Sequence, residues 1–185
     1  MGKLIFVTGG ARSGKSSFAE EQVKIFDEKT AYIATAIAFD DGMKDRIKKH
    51  QAQRPAKWQT IEAYHDFEKV KNDPAFIEAQ VILFDCLTVM VTNNMLDQQV
   101  DYDICSMETV GQIEELIKIE VETLLDVCKD KTLVMVTNEV GMGLVPAYKL
   151  GSYFRDIAGR MNQLVASRAD EVYLCVSGIP VKIKP

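Results

Sequence analysis

Lys15 and Ser16 close a run, Gly9-Gly10-Ala11-Arg12-Ser13-Gly14-Lys15-Ser16, whose residue types and spacing suit phosphate chemistry. The run fits G-x-x-x-x-G-K-[ST] at every required position. Gly9 and Gly14 can take backbone angles closed to other residues, so successive N–H groups can turn inward toward phosphate oxygens. Lys15 would reach the β- and γ-phosphates of a nucleoside triphosphate, and the Ser16 hydroxyl would hold Mg²⁺. A glycine-rich turn that matches by accident is the alternative. The flanks argue against it: Leu4, Ile5, Phe6 and Val7 form a short apolar run of the buried-strand type, and the residues after Ser16 read as a helix. That helix would add its N-terminal partial charge to the loop.

Other groups are candidates by position. Asp85 closes a second apolar run, Val81 to Phe84, the pattern of the Mg²⁺-supporting carboxylate in phosphate-loop enzymes. Ala34, Thr35 and Ala36 are small residues at a strand's carboxyl end, where open α/β sheets bind ligands; close packing explains them equally well. Asn138-Glu139 followed by Gly141 and Gly143 has the composition of an active-site loop. Arg46, His50 and Arg54 are spaced four apart, one stripe of a basic helix. A solvated face explains that stripe, and a catalytic histidine is the second reading. Positive neighbours favour the neutral, nucleophilic imidazole at physiological pH. The chain's other histidine, His65, reads as a surface residue. Arg155 and Arg160 could serve a phosphate or face solvent.

These residues need elements to carry them. Strands are expected at 4–7, 31–36, 81–85, 132–137 and 171–177, with an extended stretch at 58–62 and a short edge at 181–183. Helices are expected at 15–26, from Met43 to about Arg54, at 66–71, at 87–96, at 104–128 and at 148–168. In the longest of these, Ile104, Met107, Val110, Ile113, Leu116, Ile117, Val121, Leu124 and Leu125 recur at three and four and read as core. Strands alternating with helices give a mainly parallel sheet covered on both faces, an α/β phosphate-loop NTPase type of fold. No linker or repeat interrupts residues 1–185, so one domain is expected.

With 47% hydrophobic and 26% charged residues, 185 residues have the composition of a globular protein able to bury a core. A net charge of −5 argues against a nucleic-acid partner. No run approaches the ~20 apolar residues that span a bilayer. Cys86, Cys105, Cys128 and Cys175 are scattered without a C-x-x-C pair and read as reduced thiols in a cytoplasmic protein.

Several segments together resemble the bifunctional adenosylcobinamide kinase/adenosylcobinamide-phosphate guanylyltransferase family of cobalamin biosynthesis. They are FVTGGARSGKS, YIATA, RIKKHQAQRP with its following W-x-T-x-E, DCLTVMVTN, TNEVGMGLVP and FRDIAGRMNQLVASRADEVYLCVSG. The resemblance implies two reactions: phosphorylation of adenosylcobinamide by ATP or GTP, then transfer of GMP from GTP through a histidine–GMP intermediate to adenosylcobinamide phosphate. It puts the guanylylated histidine at His50. It implies nucleotide contacts at Gly9, Gly10, Ala11, Arg12, Ser13, Gly14, Lys15 and Ser16, at Ala34, Thr35 and Ala36, at Gln51, Ala52, Gln53 and Arg54, and at Glu62 and Asp85. Ser16 and Asp85 would support Mg²⁺. A RecA-like sheet and a homotrimer are implied as well. The chain departs from the family at Gly42, where the family often has Glu; a role for that acid is thereby in doubt. A phosphate-loop kinase without guanylyl transfer, or a nucleotide-binding regulatory switch, would leave the segments beyond the loop unexplained.

Overall fold

The computed structural model describes residues 2–26, 28–37 and 55–185. Strand β1 (Leu4–Gly9) is flanked in parallel by β5 (Thr132–Val136) and by β6 (Glu171–Val176). β4 (Val81–Asp85) joins β5 to β2 (Thr30–Ala34), and β3 (Gln59–Glu62) lies outside β2, again parallel. β7 (Ile179–Lys184) returns antiparallel along β6. Among the described residues the sheet has seven strands in the order β3-β2-β4-β5-β1-β6-β7. The five expected strands are all present; the extended stretch becomes β3 by pairing with β2, and the short edge lengthens into β7.

Helices cover both faces. On one, α1 (Lys15–Phe26) sets Ala19 and Val23 against Ile5, Val7, Leu83, Val134 and Val136. On the other, α4 (Leu87–Asp97), α5 (Met107–Val127) and α6 (Lys149–Arg168) pack over Phe6, Ile33, Phe84, Leu133 and Met135. Both faces of a parallel strand are therefore apolar, which is why those strands read as continuous rather than alternating runs. α2 (Phe67–Val70) and α3 (Pro74–Glu78) are short. α3 was not expected, yet it carries a proline at its first turn and an Asp73 side chain that accepts from Ala75 N at 2.8 Å.

The longest helix starts later than its apolar pattern suggests. Ser106 caps it, accepting from Thr109 N at 3.1 Å, so Ile104 lies outside the helix and is 82% exposed. Met107 and Leu116 are exposed too; the buried stripe is Val110, Ile113, Ile117, Val121 and Leu124. Among the described residues no helix is long and apolar enough to cross a membrane.

The β6–β7 hairpin turns through Ser177 and Gly178, both at positive φ (51° and 85°), as a two-residue type I′ turn requires. At the opposite end of the sheet Glu171 accepts from Lys3 Nζ at 2.8 Å and Tyr173 Oη at 2.8 Å, with Lys182 Nζ at 3.1 Å.

Candidate active site

The sheet register assembles the site before any side chain is considered. Glu62 pairs with Ala34, Ala34 with Asp85 and Asp85 with Val136, so these lie in one row at the carboxyl ends of four strands. β1 ends on the same edge and runs directly into the glycine-rich loop.

That loop is tightly bounded. Gly14 stands at φ +89°, and a Cβ there would come within 2.9 Å of Gly178 Cα. A Cβ on Gly9 would meet Ser13 Oγ at 2.5 Å and the Cys175 carbonyl at 2.6 Å. Gly178 N donates to Ser13 O at 2.9 Å, so the hairpin turn backs the loop from behind. Arg12, at φ 56°, and Ala11 are exposed on the loop, with Gly10 exposed beside them. Lys15 opens α1 and is buried, its Nζ donating to Gly10 O at 3.0 Å. The ammonium thus crosses the loop it belongs to, and Ser16 follows on the first turn of the helix, beside the backbone N–H groups that favour phosphate.

Two strands away, Asp85 accepts from Tyr32 Oη at 2.8 Å. The hydroxyl fixes the carboxylate's orientation, a contact no sequence spacing announces. Ser16 and Asp85 offer hard oxygen donors, and among the described residues no group of three or more His, Cys, Asp or Glu gathers as a metal cage. That donor set suits Mg²⁺, which is held by one or two protein oxygens together with substrate phosphates and water. Cys86, next along the chain, is no nucleophile: burial first, and then the Asp85 carboxylate, push its thiol up to about 12.

Thr35 is the pivot among the small residues. It is buried, its Oγ1 bonds to both Cys86 O (2.9 Å) and Cys86 N (2.7 Å), and its carbonyl accepts from Asn93 Nδ2 at 2.7 Å. Ala34 and Ala36 are half-buried on either side. Glu62 is exposed at the end of β3 and borders a cleft shared with His65. His65 itself is on the surface, beside Asp66 at 3.4 Å.

A second buried cluster holds the Asn138-Glu139 loop. Thr137 Oγ1 donates to Asn162 Oδ1 at 2.8 Å and lies 3.0 Å from Thr88 Oγ1. Asn138 N donates to Thr88 Oγ1 at 2.6 Å, and Asn138 O accepts from Asn162 Nδ2 at 3.3 Å. Glu139 N then donates to Gly9 O at 3.0 Å, tying this loop to the phosphate loop. The sequence reading places Thr88, Asn93 and Asn162 on expected helices and singles out none of them. Asn162 falls between Ala158 and Val165 on the buried side of α6, and a polar residue inside an apolar stripe was the available signal. Arg155 pairs with Asp156, and Arg160 makes a two-pronged pair with Glu114 of α5.

His50, Gln51, Ala52, Gln53 and Arg54, with Arg46, lie outside the described residues.

The family model of cobinamide kinase / cobinamide phosphate guanyltransferase matches residues 5–183. The bifunctional adenosylcobalamin biosynthesis protein CobU of Escherichia coli (strain K12) is 44% identical over 98% of this chain and 99% of its own. The protein of the same name from Salmonella typhimurium is also 44% identical, with the same coverage. CobP of Pseudomonas aeruginosa is 35% identical over 96% of this chain and 95% of its own. Among solved structures, the RadB recombinase is similar with a TM-score of 0.46 at 12% identity, covering 93% of this chain and 73% of that one. The family match begins inside β1, takes in the phosphate loop and every strand end of the site, and stops inside β7; the chain belongs to the cobinamide kinase / cobinamide phosphate guanyltransferase family.

Proposed function

We propose that this one domain runs both reactions of that family: it phosphorylates adenosylcobinamide from ATP or GTP, then joins GMP to the product to give adenosylcobinamide-GDP. The observation that carries the reading is the family match over residues 5–183, combined with a formed phosphate loop whose lysine bridges back to Gly10. In the first step the loop N–H groups and Lys15 hold the triphosphate while the acceptor hydroxyl oxygen bonds to the γ-phosphorus and the nucleoside diphosphate leaves. Ser16 and Asp85 would hold Mg²⁺, which neutralises charge on the β- and γ-phosphates when bound.

In the second step a neutral His50 nitrogen attacks the α-phosphorus of GTP, and pyrophosphate departs with the electron pair of the broken bond. A phosphate oxygen of adenosylcobinamide phosphate then displaces the imidazole. Splitting one displacement into two through a phosphoramidate is covalent catalysis. Arg46 and Arg54 are placed by sequence to stabilise phosphate charge as guanidinium groups do. Ala34, Thr35, Ala36, Gln51, Ala52, Gln53 and Glu62 complete the nucleotide contacts.

A homotrimer in the cytoplasm is part of the reading. Ile179, Val181 and Ile183, exposed on the free edge strand β7, support subunit association. The four cysteines, all free thiols, fit a reducing compartment.

The test is incubation with α-labelled GTP and Mg²⁺ without corrinoid, then denaturation, comparing wild type with His50→Ala. Label retained by wild type, lost in acid but stable in base, and absent from the variant is the expected result. Wild type that binds GTP yet takes no label leaves only the kinase. Sedimentation of the same sample reports whether the assembly is trimeric.

A further inference from the structure

A cleft of about 620 Å³ opens between α6 and the sheet, lined by Thr8, Glu139, Gly141, Arg155 and Asn162 among others. It adjoins the phosphate loop directly. Glu139 N is bonded to the Gly9 carbonyl at 3.0 Å and Lys15 Nζ to the Gly10 carbonyl at 3.0 Å. Consecutive residues lie ~3.8 Å apart, so the backbone of Glu139 and the γ-phosphate-seeking ammonium meet the loop one residue from each other.

The cleft is built, not incidental. Gly141 N donates to Glu139 Oε1 at 3.2 Å, which orients the carboxylate. A carboxylate accepts about four hydrogen bonds, so the one donor it has among the described residues leaves room for an incoming hydroxyl. The backbone beneath is fixed by the Thr88–Thr137–Asn162 cluster already described. Thr8, in the same cleft, is 7% exposed, and among the described residues its Oγ1 is buried without a hydrogen-bond partner. Buried hydroxyls are ordinarily bonded, so an orphan in a cleft wall points to a ligand group.

From this we infer that the cleft receives the alcohol arm of the phosphoryl acceptor and that Glu139 is the general base of the kinase step, with Thr8 Oγ1 steadying the acceptor hydroxyl. The inference rests on the kinase half of the proposed function. The acceptor O–H proton passes to the Glu139 carboxylate as the oxygen forms its bond to the γ-phosphorus. The bond from the γ-phosphorus to the bridging oxygen breaks, and its electron pair leaves with the nucleoside diphosphate. Guanylylation of His50 has no acceptor alcohol, so it does not call on Glu139.

The test measures two activities on one sample of Glu139→Gln: phosphorylation of adenosylcobinamide, and protein labelling by α-labelled GTP. Phosphorylation is expected to fall about 10²–10⁴-fold in kcat, the usual worth of a general base, with KM for the acceptor little changed and labelling retained. A kinase rate within threefold of wild type overturns the inference and leaves the function standing. Equal loss of both activities also overturns it, because Glu139 would then be supporting the loop. Wild type that does not phosphorylate adenosylcobinamide sinks the kinase reading itself. Should Glu139→Gln not fold, Thr8→Val serves, since it removes a hydroxyl with no hydrogen-bond partner among the described residues. A severalfold rise in acceptor KM is expected there, and an unchanged KM overturns the inference.

Discussion

One substitution, Gly→Ala, has opposite consequences at two positions in this chain. At Gly14 the backbone is left-handed at φ +89°, and the added Cβ meets Gly178 Cα at 2.9 Å, a backbone atom that cannot swing aside. The conformation alone costs an L-residue about 1–2 kcal/mol, and relief requires the loop to change shape. A changed loop no longer aims its N–H groups, so triphosphate affinity is expected to drop at least tenfold, that is ~1.4 kcal/mol. At Gly111, exposed within α5, a Cβ meets nothing within 4 Å, and Gly111→Ala is expected to stabilise by about 0.5–1 kcal/mol. Titration calorimetry with a non-hydrolysable triphosphate and thermal melts of both variants check the pair. Unimpaired binding by Gly14→Ala would mean that the loop does not hold phosphate. This residue was legible at once, because an eight-residue pattern specifies its conformation. Tyr32 was not: its hydroxyl reaches Asp85 only because β2 and β4 pair with Ile33 beside Phe84.

At the scale of elements, the strand ends that form the site are held by polar groups buried between helices and sheet. Thr137 is fully buried, Asn162 and Thr88 nearly so, and each satisfies the next. Removing one member strands its partners. Asn162→Ala takes the Oδ1 acceptor from the Thr137 hydroxyl, which keeps only Thr88 Oγ1 at 3.0 Å among the described residues, and the Nδ2 donor from the Asn138 carbonyl. An unsatisfied buried polar group costs about 1–3 kcal/mol. The urea midpoint is expected to fall accordingly with little change in slope, and the kinase rate to fall with it, since Glu139 hangs on this segment. An unchanged midpoint would show the cluster to be dispensable. Periodicity made the helices and the parallel strands readable, because it reports which face is apolar. It does not report which polar residue on a buried face finds a partner on another element, so Thr88, Asn93 and Asn162 passed as ordinary helix residues. Glu62 likewise became a site residue by resemblance alone. Its neighbourhood with Ala34 and Asp85 comes from register, and register is a property of paired strands, not of one stretch of chain.

Across the whole molecule, the proposed site and a stabilising ionic cluster sit at opposite ends of the sheet. The carboxyl ends carry the nucleotide loop and Glu139, while Glu171 ties the chain's start to its finish: Lys3 precedes β1, Glu171 and Tyr173 belong to β6, and Lys182 to β7. Foremost the Lys3 hydrogen bond, then those from Tyr173 and Lys182, lower the Glu171 carboxyl from 4.5 to about 2. A carboxyl depressed in the folded state stabilises the fold fully above its unfolded value, because it is charged in both states there. As pH falls from about 4.5 toward 2, the unfolded chain takes up the proton first, and this contribution drains away. Glu171→Gln removes the effect. Its partners are partly exposed and screened, so about 1 kcal/mol is expected at neutral pH, or a melting temperature lower by ~2–4 °C for a chain of this size. The two melting curves should converge as pH approaches 2, with wild type falling faster between pH 4.5 and 2. Raising salt should narrow the gap at neutral pH, since exposed pairs are screened. A gap that stays constant from pH 7 down to 2 would mean that Glu171 contributes through packing rather than charge. The proposed nucleotide site lies at the far end of the sheet, so triphosphate binding at neutral pH is expected to be the same in both proteins.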